Sequence, residues 1–462
     1  MADNRKRRTV LVVAALSFFL ATFMGSSLNI ALPTIGQELS MDAVSLGWVA
    51  TAYILASAAL LLPCGRLADI YGRKRILIIG LSIYTLATVL LAFVPSGTVL
   101  IALRAFQGSG GAMIFSTGVA LVTSVFPEGK RGKALGITTA MAYLGLSIGP
   151  VLGGLLTEHF GWRSIFLATV PLGVAALVLI KKRIKGDWAE ARGEGFNRTG
   201  ALIYGFSLTA IIYGFSSLPE ALGIGLLVGG VAGIAAFIRQ EMRVAHPLLD
   251  ISLFRDNRVF AFSNLAVLLN YSAAFAVSFL MSLYLQYIKG LTPDVAGLVL
   301  VASPAIQAAF SPAAGRLSDR IDPRVLSSIG MALIAVGLFI FISLGEETTL
   351  RSIIMNLIML GFGFALFASP NTNAIMSAVS DKYFGVASAT MATMRQVGMM
   401  LSIGIAMLLF ATNIGRIEIT PAYHPLFLRS LKTAFTIFTI LCVAGIFASL
   451  ARGKSERPPD SD

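Results

Sequence analysis

A series of apolar runs, too long and too unbroken for a soluble core, limits what this chain can become. Residues 10–31, 76–94 and 326–344 each approach the roughly 20 residues a helix needs to cross about 30 Å of hydrocarbon. Inside lipid no water pairs an exposed peptide group, so a spanning segment must be a helix or part of a closed barrel. These runs lack the period-2 alternation of a barrel strand. Only 13% of the 462 residues are charged, against about 25% in soluble domains. The expected fold is all-α, a polytopic membrane protein.

Arg5, Lys6, Arg7 and Arg8 precede the first run, as cations precede the apolar core of a secretory signal. That run of about 22 residues exceeds the roughly 7–15 of such a core, so it is read as span 1. Reading apolar runs between charged or turn-rich breaks gives 14 spans, at 9–31, 45–65, 75–95, 98–124, 133–157, 163–181, 199–217, 222–239, 260–288, 295–314, 325–344, 350–371, 385–411 and 432–450. Lys and Arg collect in cytoplasmic loops. With the N-terminus inside, 28 of the 36 fall in cytoplasmic segments, six (Arg163, Lys289, Arg351, Arg416, Arg429 and Lys432) in outer ones, and two, Arg104 and Arg395, inside spans. Both termini are therefore expected in the cytoplasm, with the chain multi-pass in the plasma membrane. The net charge of +13 is a topology signal, and cations dispersed over loops beside lipid argue against nucleic acid. Cys64 and Cys442 sit near span ends with no ligand spacing or disulfide framework, and read as packing residues.

The stretch GRLADIYGRKR at 65–75 returns as GRLSDRIDPR at 315–324, an offset of 250 residues. The first lies between spans 2 and 3, the second between spans 10 and 11. Treating spans 7 and 8 as an insertion makes these the same place in two pseudo-symmetric six-helix bundles: 1–185, a two-helix insertion at 186–245, and 246–462. Parallel repeats of this kind belong to transporters that rock two halves about a midplane site. Gly65 suits close helix approach, as small residues do in membranes. Asp69 and Arg73 stand four apart and can pair on one helical face. Topology alone does not explain the recurring acid, because orientation responds to cations and hardly to Asp. Asp69 and Asp319 therefore need another partner, and a helix N-terminus is one. Gly65, Arg66, Asp69, Gly72, Arg73, Arg75, Gly315 and Asp319 form a candidate gating set.

Gly65-Arg66-Leu67-Ala68-Asp69 with Gly72-Arg73-Lys74-Arg75 resembles the span 2–3 signature of the major facilitator superfamily. The resemblance continues with Arg104, Gln107, Gly108, Gly110 and Gly111 in span 4 and with Gly145, Gly149, Pro150, Gly153 and Gly154 in span 5. LNIALPTI at 28–35 and GWRSIF at 161–166 are similar to the branch of fourteen-span drug:proton antiporters, and coverage is essentially the whole chain. The resemblance implies that Asp69 latches the cytoplasmic side of the outward-open state by facing the start of span 13, near Gly385. It also implies proton coupling around Arg104 and Gln107. In span 5 the small residues at 145, 149 and 153 line one helix face and Pro150 kinks the helix, the makings of a close helix crossing. In the superfamily that motif is associated with exporters that exchange substrate for protons.

Arg104 lies about two turns inside span 4, and Arg395 is ten residues into span 13, about 15 Å deep. An intramembrane cation costs about 2.5–3.5 kcal/mol on insertion scales, so a cavity role is the working expectation for Arg395. All 23 Asp and Glu residues map to loops or span ends, as do His159, His246 and His424. Where many members of the family carry an Asp in span 1, seven residues before the Ala of ALP, this chain has Met24. The nearest proton carriers are Asp69 at the inner end and Glu158 and Glu38 at the outer end. Two arginines and no midplane carboxylate suit a neutral or anionic amphiphile better than a dication. Asn29, Asn264, Gln286, Gln307, Arg395 and Gln396 are candidate cavity residues, with Asn270 and Asn356 also able to orient a ligand.

Three readings follow: an antiporter expelling hydrophobic or amphiphilic compounds, a transporter of one anionic metabolite, and a membrane sensor without transport. A sensor needs a soluble domain, and the longest loops, 182–198 and 411–431, are too short to fold alone. No nucleophile–base pair, metal cluster or phosphate loop appears, so no enzyme activity, metal or cofactor is expected. The implied partners are a small molecule, protons and lipid, with the chain a monomer. Spans 7 and 8 have few polar residues and are expected as a lipid-facing hairpin at the edge of the two halves.

Overall fold

The computed structural model describes residues 2–126, 128–184, 186–245, 247–318, 320–379, 384–415, 417 and 419–453. Asp319 lies outside the described residues, as do Lys185, His246, Lys382, Arg416 and the tail from 454.

Among the described residues, fourteen helices are long and apolar enough to cross a membrane: spans 1 (Arg5–Glu38), 2 (Ala43–Tyr71), 3 (Arg73–Leu91), 4 (Gly97–Val125), 5 (Ala134–Phe160), 6 (Arg163–Arg183), 7 (Arg198–Ser216), 8 (Ala221–Glu241), 9 (Arg258–Ile288), 10 (Pro293–Ser318), 11 (Pro323–Phe341), 12 (Leu350–Ser377), 13 (Val386–Asn413) and 14 (Pro421–Ala451). Polar residues between the runs act as helix caps. The side chains of Asp42, Asn197, Asn257, Asp322 and Thr349 each accept from a backbone N–H two or three residues on. Span 10 breaks at Val301, where Pro304 has no N–H to offer Leu300.

Several boundaries differ from expectation. Span 14 starts 11 residues early, which puts Arg429 and Lys432 on a helix rather than in a loop. Helical spacing explains it, because Phe427, Ser430 and Leu431 are buried while the two cations are exposed. Spans 2, 10 and 12 also run past their apolar stretches, to Tyr71, Ser318 and Ser377. The supposed turn at 65–75 is therefore almost all helix, broken only at Gly72, whose φ of 114° favours glycine.

Spans 1 and 5, 2 and 4, 3 and 4, 3 and 6, and 1 and 6 pack together, and spans 9 and 13, 10 and 12, 11 and 12, 11 and 14, and 9 and 14 repeat that pattern. The halves meet mainly through span 2 against 13, span 5 against 10, and span 1 against 9. Below, the end carrying the span 2–3 turn is the cation-rich end. Span 7 lies over spans 2 and 13, and span 8 packs on span 7. The Tyr204 hydroxyl donates to the Ala58 carbonyl at 3.2 Å, and Gly404 admits Ile212 and Phe215. Span 8 turns Leu222, Ile224, Val228 and Val231 outward. Glu241 staples the base of this hairpin. It is 3% exposed and accepts from Asn197 Nδ2 at 2.7 Å and from the backbone N–H groups of Leu248 and Leu249.

Candidate functional site

At the cation-rich end the expected pair forms, with Arg73 Nη2 donating to Asp69 Oδ1 at 2.8 Å. The sequence held no sign of what else gathers there. Residues 186–194 fold back as a strap under spans 2 and 3. Arg73 also donates to both Glu190 oxygens at 2.7 and 2.8 Å, and Arg66 pairs with Glu194 at 2.6 Å. Asp187 accepts from the N–H groups of Lys74 and Arg75 at 2.9 and 3.2 Å, capping span 3, and a Cβ at Gly72 would stand 2.3 Å from its carboxylate. Arg75 thus takes part here through its backbone. Asp69 has its described side-chain bonds to Arg73, and the expected contact near Gly385 falls outside the described side chains. Gly65 needs no close approach, since a Cβ there would meet Ser116 at an ordinary 3.7 Å, whereas one at Gly315 would stand 2.8 Å from the Ser369 hydroxyl. At the second turn Arg324 and Asp322 are 3.8 Å apart.

Arg104 is buried within the first half. It donates to the Val49 carbonyl at 3.1 Å and to Gln107 Oε1, and lies over the Tyr53 ring at 4.5 Å. Gln107 passes the network to Thr88 at 2.7 Å. The neighbouring glycines let span 4 come this close: a Cβ at Gly108 would stand 2.3 Å from the Tyr53 carbonyl, and one at Gly110 2.7 Å from the Gly80 carbonyl. Arg104 is thus held by a carbonyl, an amide and an aromatic face, with no carboxylate among its described partners.

The span 5 glycines divide between two jobs. Gly145, Gly149 and Gly153 face span 1, where Ser26 and Ser27 hydroxyls donate to the Gly145 and Gly149 carbonyls at 3.2 and 2.9 Å. Gly154 faces the other half, where a Cβ would stand 2.4 Å from the Pro293 carbonyl, and the Pro150 carbonyl sits 2.1 Å from where Gly297 would carry one. Gly47 of span 2, 250 residues before Gly297, meets the Met407 side chain of span 13. Glu158 is exposed at the end of span 5. Glu38 accepts from Trp162 Nε1 at 2.6 Å and from Arg163, so GWRSIF joins the ends of spans 1 and 6.

Ten residues inward from each of these glycines, both contacts turn polar. Gln396 Nε2 donates to the Ser57 hydroxyl at 3.0 Å, and the Tyr143 hydroxyl of span 5 meets the side chains of Gln307 and Ser311. Arg395 and Tyr271 are close enough to act on Tyr143 electrostatically. Arg395 is half-buried, and among the described residues it makes no hydrogen bond or ion pair. Tyr143 was missed because a lone tyrosine among apolar residues carries no spacing signal. Three other candidates take part in hydrogen bonds of their own. Gln286 donates to the Ile30 carbonyl at 2.9 Å and the Asn29 carbonyl accepts from Ser282 at 2.6 Å, both closing the seam between halves. Asn264 is fully buried and donates to Phe260 of its own helix. Asn356 donates to the Gly337 carbonyl within the second half, and Asn270 is fully buried with neither amide atom paired. Arg452, just past span 14, is 2% exposed and donates to Ser263 and Asn371 at 3.2 and 2.9 Å. Burial pushes its guanidinium down to about 10, against the pull of Asp322, so it stays charged at neutral pH.

Among the described residues, every hydrogen bond between the halves lies from mid-depth to the cation-poor end. Among the described residues, the bonds described for the span 2–3 turn run within the first half and its strap, and the cross-half bonds gather toward the cation-poor end.

Residues 14–258 and 264–462 match the family model of the Major Facilitator Superfamily. The chain belongs to that superfamily. It is a multi-pass membrane transporter. The superfamily relatives include the Riboflavin transporter RibZ of Clostridioides difficile (strain 630), 29% identical over 96% of this chain and 97% of that one. The Multidrug resistance protein Stp of Mycobacterium tuberculosis (strain CDC 1551 / Oshkosh) is 33% identical over 88% and 76% of the two chains. The Cephamycin export protein CmcT of Amycolatopsis lactamdurans is 34% identical over 88% and 85%. Among solved structures, a bacterial homolog to the human lysosomal transporter Spinster in an inward-facing, unoccupied conformation superposes with a TM-score of 0.72, at 14% identity over 97% of both chains, a likeness of fold.

Proposed function

We propose that this protein is a multidrug-type exporter that moves hydrophobic or amphiphilic small molecules out of the cell by alternating access. The observation that carries the reading is the gathering of cross-half contacts toward one end, with a half-buried arginine and polar side chains left at mid-depth. Lys and Arg excess assigns the cation-rich end to the cytoplasm, with both termini there and the chain in the cell membrane. Substrate then enters from the cytoplasm and leaves when the seams part. The name of CmcT, an export protein, supports the outward direction.

Proton exchange, which the resemblance implies, needs a group that gains and loses a proton, and an arginine does not. Asp69 is the acid suited to it, because its partners Arg73 and the strap lie where the halves must come together. Everted membrane vesicles incubated with ethidium or Nile red test both parts. Accumulation driven by an acid interior supports proton exchange, and Asp69→Asn should abolish the proton-driven part. Dye movement that ignores the pH gradient would refute proton exchange, and no movement of any dye would refute export.

A further inference from the structure

We propose that the central site selects anionic amphiphiles, with the Arg395 guanidinium reading the negative charge and Tyr143 orienting the ligand beside it. This rests on the export reading and names the substrate class of the same site. Among the described residues the buried arginines are satisfied, Arg73 by Asp69 and Glu190. Arg104 has Val49, Gln107 and the Tyr53 face, and Arg452 has Ser263 and Asn371. Arg395 breaks that habit, having no hydrogen-bonding or ionic partner among the described residues although it stands nine residues past the start of span 13. That is about 14 Å along the helix, too far for easy snorkelling to the headgroups.

Its surroundings point to what would pair with it. Tyr143 of span 5 lies within electrostatic reach of both Arg395 and Tyr271 of span 9, and its hydroxyl is tethered to Gln307 and Ser311 of span 10. Gln396 beside it is engaged by Ser57. Among the described residues, the acids on spans stand at span ends: Glu38, Asp69, Glu158, Glu241 and Asp294. A cation arriving at mid-depth meets a like charge with no compensating carboxylate. A carboxylate or sulfonate forms a charge-assisted, bidentate pair with the guanidinium where the local dielectric is low. The two tyrosine rings offer flat, amphipathic contact to the ligand's apolar body.

The test uses the full-length protein. Binding of carboxyfluorescein (anionic) and ethidium (cationic) is read by fluorescence polarisation in detergent, and transport of the same dyes and of neutral Nile red is read in proteoliposomes. Wild-type protein should bind carboxyfluorescein at least tenfold tighter than ethidium, a comparison that needs no variant to fold. Arg395→Gln should lower anion binding and flux at least tenfold while Nile red flux stays within twofold. Arg395→Lys should keep the anion preference, and Tyr143→Phe should weaken anion binding three- to fivefold. Equal affinity for the two charged dyes, or equal loss of all three fluxes in Arg395→Gln, would overturn the proposal. Absent transport of every dye with anion binding intact and lost in Arg395→Gln would overturn the export reading and leave this assignment standing.

Discussion

The seam between spans 2 and 13 and the seam between spans 5 and 10 occupy equivalent positions in the two halves, yet they are built differently. Each starts near the cation-poor end with a glycine and turns polar ten residues inward: Gly47 and Ser57 on span 2, Gly297 and Gln307 on span 10. In the first seam the glycine makes room for Met407, a flexible side chain, and span 7 lies across the outside. In the second, backbone meets backbone, with Gly297 against Pro150 and Gly154 against Pro293. A side chain can change rotamer as the halves rock, while two touching backbones can only separate. The comparison says that the first seam is compliant and backed, and the second rigid and bare.

Deleting residues 199–239 behind a short linker should have the largest effect, because it strips the cover from one seam. Span 2 loses the Tyr204 bond to Ala58 and the Trp48–Tyr213 ring contact, and Gly404 loses Ile212 and Phe215. Folded yield and thermal stability, measured by size-exclusion chromatography and heating, should fall severalfold and by at least about 5 °C, the equivalent of a few kcal/mol. The ratio of anionic to cationic dye transport by the surviving protein should stay within twofold. Normal yield with altered selectivity would mean that the hairpin lines the path rather than backing a seam.

Gly297→Ala should come next. Its Cβ would lie 2.1 Å from the Pro150 carbonyl oxygen, and a helix backbone cannot step aside as a side chain does. Overpacking costs about 1–3 kcal/mol, here borne by the closed seam alone, so the balance moves toward the outward-open state by about 5- to 160-fold. Ser282→Cys, on the seam beside Asn29, should then react faster with an impermeant maleimide added from outside. Cys64 and Cys442 are buried and give a low background. Gly47→Ala places its Cβ 2.4 Å from Met407 Cγ, yet should cost only two- to threefold in transport, with Met407→Ala restoring it. Equal losses at Gly47 and Gly297 would erase the distinction.

Much of this architecture was legible in the chain. The apolar runs count the spans because lipid demands an unbroken helix, and the 250-residue offset that matches Gly65 to Gly315 also matches Gly47 to Gly297 and Ser57 to Gln307. Facing was not legible. Gly153 and Gly154 are adjacent, so a step of about 100° sends one toward span 1 and the other across the seam. Polarity likewise failed to separate amides that line a cavity from those, like Gln286, that reach a carbonyl of another helix. The strap and the Glu241 staple left no periodicity. Asp187, Glu190 and Glu194 sit among cations in a polar stretch, and Glu241 is buried by loops folding back over a span end.

The smallest expected effect tests the comparison most finely. Ser57→Ala removes the acceptor of Gln396 Nε2, and Gln307→Ala removes one of two partners of Tyr143. Losing one such bond is worth about 1 kcal/mol, roughly fivefold in an equilibrium, if nothing else holds the helices. Behind Ser57, span 7 bonds span 2 at Ala58, one residue on, and packs on span 13 at Gly404, so the helices stay together when the hydroxyl is gone. Ser57→Ala should therefore shift outside labelling by less than twofold. Nothing comparable backs span 10 among the described residues, and Gln307→Ala should shift it by more, although Ser311 still reaches Tyr143. The order of these two small shifts, rather than their size, measures what the hairpin contributes, and it should invert in the variant lacking residues 199–239, where Ser57 loses its support and Gln307 loses nothing.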